Sequence, residues 1–244
     1  QDGECTFTLK EGGRCPFLND DNLCDLYIEL GEDKLCETCA EFPRFINDYG
    51  NIREIGIAPS CKTAGELMFS YKDELTFDTV EDNSLSPEPN DIDAYTYMQL
   101  RQARIVAFGI ISDRDISIFE RLMLYLDYAK RIQKHLDAER DELIAGVAKR
   151  FCGPDYREEL LDKLKSRDAK LHGTRLIKGL RHFFDDFKGM EVINPDWNIH
   201  VARVRQFLDG LADDSELAAV MKTYHAGSEA FAHEYEQLAM YYVY

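Results

Sequence analysis

Six of the seven cysteines lie within the first 61 positions, at Cys5, Cys15, Cys24, Cys36, Cys39 and Cys61, and the rest of the chain holds only Cys152. Thiols this concentrated serve disulfide stapling or metal ligation through thiolates. Cys15, Cys24, Cys39 and Cys61 supply four sulfurs from a stretch too short to bury much apolar surface, and Cys36 makes a C-x-x-C with Cys39. Four thiolates suit tetrahedral zinc or an iron–sulfur cluster. A structural zinc site contributes roughly 10–16 kcal/mol of apparent binding free energy, enough to offset a poor local core. The chain as a whole needs no covalent staples, because 244 residues with 45% hydrophobic content can bury a proper core. Metal ligation is the leading reading; disulfides in an exported protein and inert thiols are the alternatives. Cys152, in Phe151-Cys152-Gly153-Pro154 at a helix end, reads as a buried small apolar residue.

Other chemistries lack their patterns. The sequence has no G-x-G-x-x-G after a strand, no G-x-x-x-x-G-K-[ST] and no G-x-S-x-G elbow. The six histidines stand singly, without an H-E-x-x-H, and read as ordinary surface or core positions. Glu139, Asp141 and Glu142 share a helix surface and read as solvation. Tyr125, Tyr128, Tyr224, Tyr235, Tyr241 and Tyr242 recur at helical spacing and read as packing. A net charge of −17 repels phosphate backbones and anionic headgroups, so neither nucleic acid nor a membrane is an expected partner. No run of 18 apolar residues occurs. The chain opens Gln1-Asp2-Gly3-Glu4, without an initiator methionine or a basic-then-apolar leader, so the natural amino terminus is expected to lie upstream. Cytoplasmic localisation is expected.

The elements that must position the thiols are short. Thr6–Leu9 and Ile52–Ile57 alternate as strands do, Asn22–Leu30 and Leu35–Phe42 look like helical turns stopped by Gly31 and Pro43, and a further helix runs from Thr63 to about Tyr71. Residues 81–93, with two prolines among acidic and polar residues, have the composition of a connector. Beyond it the pattern is helical: Tyr95–Ile111, Ser117 to about Phe151 with Leu122, Leu126, Ala129 and Ile132 at steps of three and four, a helix opened by Pro154, then Leu171–Phe187, Trp197–Leu211 and Ser215–Tyr244. Ser112 or Asp113 is a candidate cap between the first two. The expected fold is mainly α: a multi-helix domain over residues 91–244 and a small cysteine-rich, loop-rich module with short strands over residues 1–80.

Cys15-Pro16-Phe17-Leu18, Leu23-Cys24-x-x-Tyr27, Leu30-Gly31, Thr38-Cys39-x-x-Phe42-Pro43-Arg44 and Ser60-Cys61, in this order and spacing, resemble the flagellin lysine-N-methylase family. Met98-Gln99-Leu100-Arg101-x-Ala103-Arg104 and the helices after it resemble its helical portion. The resemblance implies an enzyme that methylates lysine ε-amines of flagellin with S-adenosylmethionine as donor, together with a [4Fe–4S] cluster on family cysteines. Cys15, Cys24, Cys39 and Cys61 match those positions, whereas Cys36 falls where the family often has serine. A lysine amine with a pKa near 10.4 is neutral in only about one molecule in two thousand at pH 7, so a methylase must desolvate it or supply a base. No residue is assigned to catalysis or to donor binding. The alternative is a non-catalytic zinc- or iron-chelating protein, or partner-binding protein, with a structural metal site.

Overall fold

The computed structural model describes residues 7–83, 93–168, 175–190, 192 and 196–244, and they fall into two units. The first comprises the residues up to Leu67 with Glu81–Asn83; the second comprises Met68–Val80 and the residues from Asp93 onward. The chain is mainly helical with one small two-stranded sheet among the described residues. No described helix is long and apolar enough to cross a membrane.

The first unit is built on two short helices, α1 (Asp25–Leu30) and α2 (Glu37–Glu41), and the hairpin of β1 (Arg44–Tyr49) and β2 (Ile52–Ile57). Leu30 is followed by Gly31 at φ +85°, a backbone conformation that favours glycine, and this ends α1. The strands pair antiparallel from Arg44↔Ile57 to Tyr49↔Ile52. Gly50 takes φ +66° at the first central position of the two-residue turn, where a type II′ hairpin needs glycine. Opposite Phe45 stands Gly56, and a Cβ there would meet the Phe45 ring at 2.1 Å, so the missing side chain makes room for the ring. The strand expected at Thr6–Leu9 does not form over its described part: Phe7, Thr8 and Leu9 are irregular. Phe7 instead sets its ring edge-on against Phe17, 4.9 Å between centroids, and β2 takes β1 as its partner. A helix, α3 (Lys62–Ser70), follows the hairpin.

In the second unit the core lies among α4 (Ala94–Ile111), α5 (Ile118–Leu136), α6 (Ile144–Phe151) and α7 (Pro154–Asp168). Ala103, Ala107 and Ile110 of α4 pack with Leu124, Tyr128 and Ile132 of α5 and with Ile144, Val147 and Phe151 of α6. Small residues on α4 let a neighbouring helix come close enough for the Tyr128 hydroxyl to donate to the Ala103 carbonyl at 2.9 Å. The buried stripe of α5 runs Ile118, Arg121, Leu124, Tyr128, Ile132, not through the expected Leu122 and Leu126, and Leu126 is 58% exposed. Ser117, rather than Ser112 or Asp113, caps α5: its Oγ accepts from the Glu120 N–H while Glu120 Oε2 accepts from the Ser117 N–H, a closed capping box. Ser112 ends α4.

One expected helix is two. Between α5 and α6 the chain turns through Asp137–Arg140 with Glu139 at φ +52°, and the Arg140 N–H donates back to the His135 carbonyl. The turn lets α6 fold back against α4 and α5 and bury Phe151, a tertiary gain that overrides the helical pattern. The last expected helix is likewise divided, into α10 (Asp214–Ser228) and α11 (Ala232–Val243), preceded by α8 (Arg175–Asp186) and α9 (Asp196–Gly210). Residues 171–174 and 194–195, where a helix start and a break are expected, lie outside the described residues, as do Cys5 and most of the connector. Asp214, buried at the start of α10, receives the N–H groups of Leu176 and Ile177 on its two carboxylate oxygens and so caps α8 from a distant part of the chain.

Candidate metal centre

Cys15 and Cys24 are the two ends of a loop that closes on itself. The Asp25 N–H donates to the Phe17 carbonyl and the Asn19 N–H to the Leu23 carbonyl, each at 2.9 Å, and Leu18 bridges Cys24. Asn19 is the hub: its Oδ1 accepts from the N–H groups of Asp21 and Leu23, and its Nδ2 donates to Asp25. Arg14 straps the same loop, donating to Asn22 Oδ1 at 2.6 Å and to the Asn19 carbonyl. This polar lacing does the work of an apolar core, since the unit exposes Leu23, Tyr27, Ile28, Leu30 and Phe42.

Cys24 and Cys36 take the positions immediately before α1 and α2, and Cys39 lies in the first turn of α2, where its N–H donates to the Cys36 carbonyl at 2.9 Å. Arg44, at the start of β1, donates to the Ala40 carbonyl of α2 at 3.3 Å. The hairpin then returns the chain to the end from which α2 enters it, and the Ala58 N–H donates to the Pro43 carbonyl at 2.7 Å. Cys61 follows at once, with its carbonyl accepting from Gly65 in the first turn of α3. The topology thus carries Cys39 and Cys61 to the same end of one hairpin.

All six described cysteines are free thiols. The Cys39 backbone N–H and then its side chain hydrogen-bond to the Cys36 sulfur, holding that thiol below its ordinary value. Cys39 is pushed up by the same side-chain bond, then by burial and by the negative charges of Cys36, Cys15 and Cys24. Cys39 therefore lies within electrostatic reach of Cys36, Cys15 and Cys24. As the side chains stand, no three His, Cys, Asp or Glu groups among the described residues converge closely enough to hold a metal ion. In chemical type and free state the thiols suit a thiolate-loving centre, although their side chains as they stand do not enclose one. Cys36, set aside by sequence reasoning, is a member of the neighbourhood; the C-x-x-C spacing was the signal for it. Cys152 does not: it is exposed at the end of α6, not buried, because Gly153 and Pro154 turn the chain away there.

The second unit holds two further polar features. A cleft of about 410 Å³ is lined by Asp93, Tyr95, Thr96, Leu136, Glu139, Asp141 and Glu142. Two of its carboxylates are engaged structurally: Asp93 caps α4 through the Thr96 N–H, and Asp141 accepts from the Thr96 hydroxyl. The other feature is a buried ion cluster that sequence reasoning missed. Glu236 of α11, 3% exposed, accepts from Arg121 of α5 at 2.5 Å and from Arg114 at 2.7 Å, while Arg121 also donates to the Ile111 carbonyl at 2.9 Å. Burial pushes the Glu236 carboxyl up, but the hydrogen bonds and charges of Arg114 and Arg121 outweigh it, so the group is held below the usual carboxylate range. Its sequence signal is a charge on the apolar stripe of each of two helices. Next to the cluster, Gln237 donates to the carbonyls of Tyr71 and Asp73, fastening the Met68–Val80 segment to α11.

No curated protein and no solved structure matches the chain. The family model of the FliB lysine N-methylase C-terminal domain matches residues 104–244, more than half of the chain. This stretch runs from the middle of α4 to the last residue and takes in both arginines of the ion cluster, Glu236, and the Asp214 cap. The helices that these buried charges tie together are those of a lysine N-methylase C-terminal domain, and the chain belongs to the FliB lysine N-methylase family.

Proposed function

We propose that the chain is a protein lysine N-methyltransferase that acts on flagellin lysines with S-adenosylmethionine as methyl donor and depends on an iron–sulfur cluster, [4Fe–4S], held by Cys15, Cys24, Cys39 and Cys61. The observation that carries the methylase reading is the family match across the helical unit. Support for the cluster is the concentration of free thiols in the first unit, where Cys39 feels the charges of Cys36, Cys15 and Cys24 and Cys61 is delivered to the same end of the hairpin as Cys39. Such a cluster supplies electrons or a Lewis-acidic iron to bound groups when present, and thiolates are its usual protein ligands. The chain's own task is to present a lysine amine in its neutral form, which desolvation favours. A cytoplasmic setting, where thiols stay reduced, suits this reading.

The test is transfer of labelled methyl from S-adenosylmethionine to flagellin of the same source, under reducing, anaerobic conditions with iron and sulfide content measured on the same sample. Transfer that depends on cluster content is expected. Absence of transfer with the cluster intact refutes the methyltransferase reading. A second reading, a structural zinc or iron site in a partner-binding protein, is favoured by one observation: the family match does not reach the cysteines of the first 61 positions. A colourless, zinc-loaded protein that folds only with its metal and transfers no methyl supports that reading instead.

A further inference from the structure

We propose that Cys36 and Cys39 form a redox-active dithiol that closes to a disulfide by exchange with a low-molecular-weight disulfide, and that closure withdraws Cys39 from the thiols around it. The coupling to metal rests on the cluster reading above; the exchange itself does not. Both residues are exposed and free, so an external disulfide reaches them. They stand one helical turn apart, Cys36 immediately before α2 and Cys39 within its first turn, a spacing at which side chains face one another. The α2 turn fixes that approach through two bonds to the Cys36 carbonyl, from the N–H groups of Cys39 and Ala40, each at 2.9 Å. Cys15 and Cys24 sit in the separately laced Arg14–Asp25 loop, close enough to act on Cys39 through their charge.

The chemistry balances as a two-step exchange. One thiolate of the pair attacks a sulfur of the external disulfide, its S–S bond breaks, and one small thiol leaves with the proton. The second thiolate of the pair attacks the mixed disulfide, and the second small thiol leaves. The protein dithiol is oxidised by two electrons and the external disulfide is reduced to two thiols.

The experiment equilibrates the full chain, freed of metal, with oxidised and reduced glutathione at a series of ratios, then alkylates it and maps the disulfides by mass spectrometry. Expected is the loss of two of the seven thiols in one step, with Cys36 joined to Cys39, and no such step in Cys36→Ser or Cys39→Ser. A first disulfide that joins other cysteines, or glutathione left on Cys36 without closure, overturns the proposal. Iron and zinc uptake is then measured on the reduced and oxidised forms. At least tenfold lower uptake by the oxidised form is expected, and equal uptake overturns the coupling. Should the reduced protein take up neither metal, the cluster reading fails, while the disulfide map still decides the dithiol.

Discussion

Replacing Glu236 by glutamine keeps the side-chain shape and removes the charge that Arg121 is buried against. Arg121 is 3% exposed and would keep the Ile111 carbonyl and at most the new amide oxygen as acceptors, with no carboxylate against its charge and its Nε without a hydrogen bond. Breaking a buried pair by removing one partner costs about 3–5 kcal/mol, since the other charge stays buried and uncompensated. Arg114 is nearly half exposed and can turn to water, so the lower end applies, ~3 kcal/mol. In a helical unit of this size that lowers the melting temperature by about 6–12 °C. The assay is urea unfolding followed by far-UV circular dichroism, in which the midpoint should fall with the slope unchanged. The pH dependence has a definite sign. The Glu236 carboxyl is held below its unfolded value, so its contribution is complete above about pH 4.3 and drains away as the pH falls through the lower folded value. Glu236→Gln should lose this acid-side slope. The double variant Arg121→Met/Glu236→Leu should recover more than half of the loss, because neither charge then remains to be desolvated. A Glu236→Gln protein within about 0.5 kcal/mol of the parent would refute the reasoning.

Asp214→Ala removes both acceptors at the start of α8 and should cost about 1–2 kcal/mol, with hydrogen exchange at Leu176 and Ile177 accelerated before the rest of the unit. Gly56→Ala drives a methyl into the Phe45 ring and should loosen the hairpin, seen as faster exchange at the amides of β1, whereas alanine at the exposed Ala58-to-Cys61 turn position Ser60 should not. Cys39→Ser should lower bound metal and folded yield of the cysteine unit, and Cys152→Ser neither; equal metal content in the two variants removes Cys39 from the site. Tyr128→Phe deletes the hydroxyl that bonds the Ala103 carbonyl and should cost about 1 kcal/mol by the same urea assay.

The helical body was legible because its helices carry long periodic patterns and Pro154 opens α7, and in the first unit local punctuation sufficed for Gly31 to end α1 and for Ile52–Ile57 to read as a strand. What escaped reading depends on partners far away in sequence. Nothing in Asp137–Arg140 breaks a helix by itself, since it contains neither glycine nor proline, and the turn forms because Phe151 gains a core by it. The phase of α5 was misread because Arg121 counted as polar, although Glu236 makes it a buried residue. Arg44–Tyr49 does not alternate cleanly, and it becomes a strand because β2 needs an edge to pair with. In the candidate site the concentration of thiols was plain from their positions. Which of them share a neighbourhood was not, because a serine-like family position hid Cys36 and only the α2 turn places it against Cys39.

The carboxylate that completes the first turn of α8 belongs to a residue 38 positions further along. During synthesis, the amide groups of Leu176 and Ile177 must therefore wait, bonded to water, until the chain through Asp214 has left the ribosome. Helix α8 and the start of α10 consequently mature together, and a release of the nascent chain between them would leave α8 frayed at its beginning.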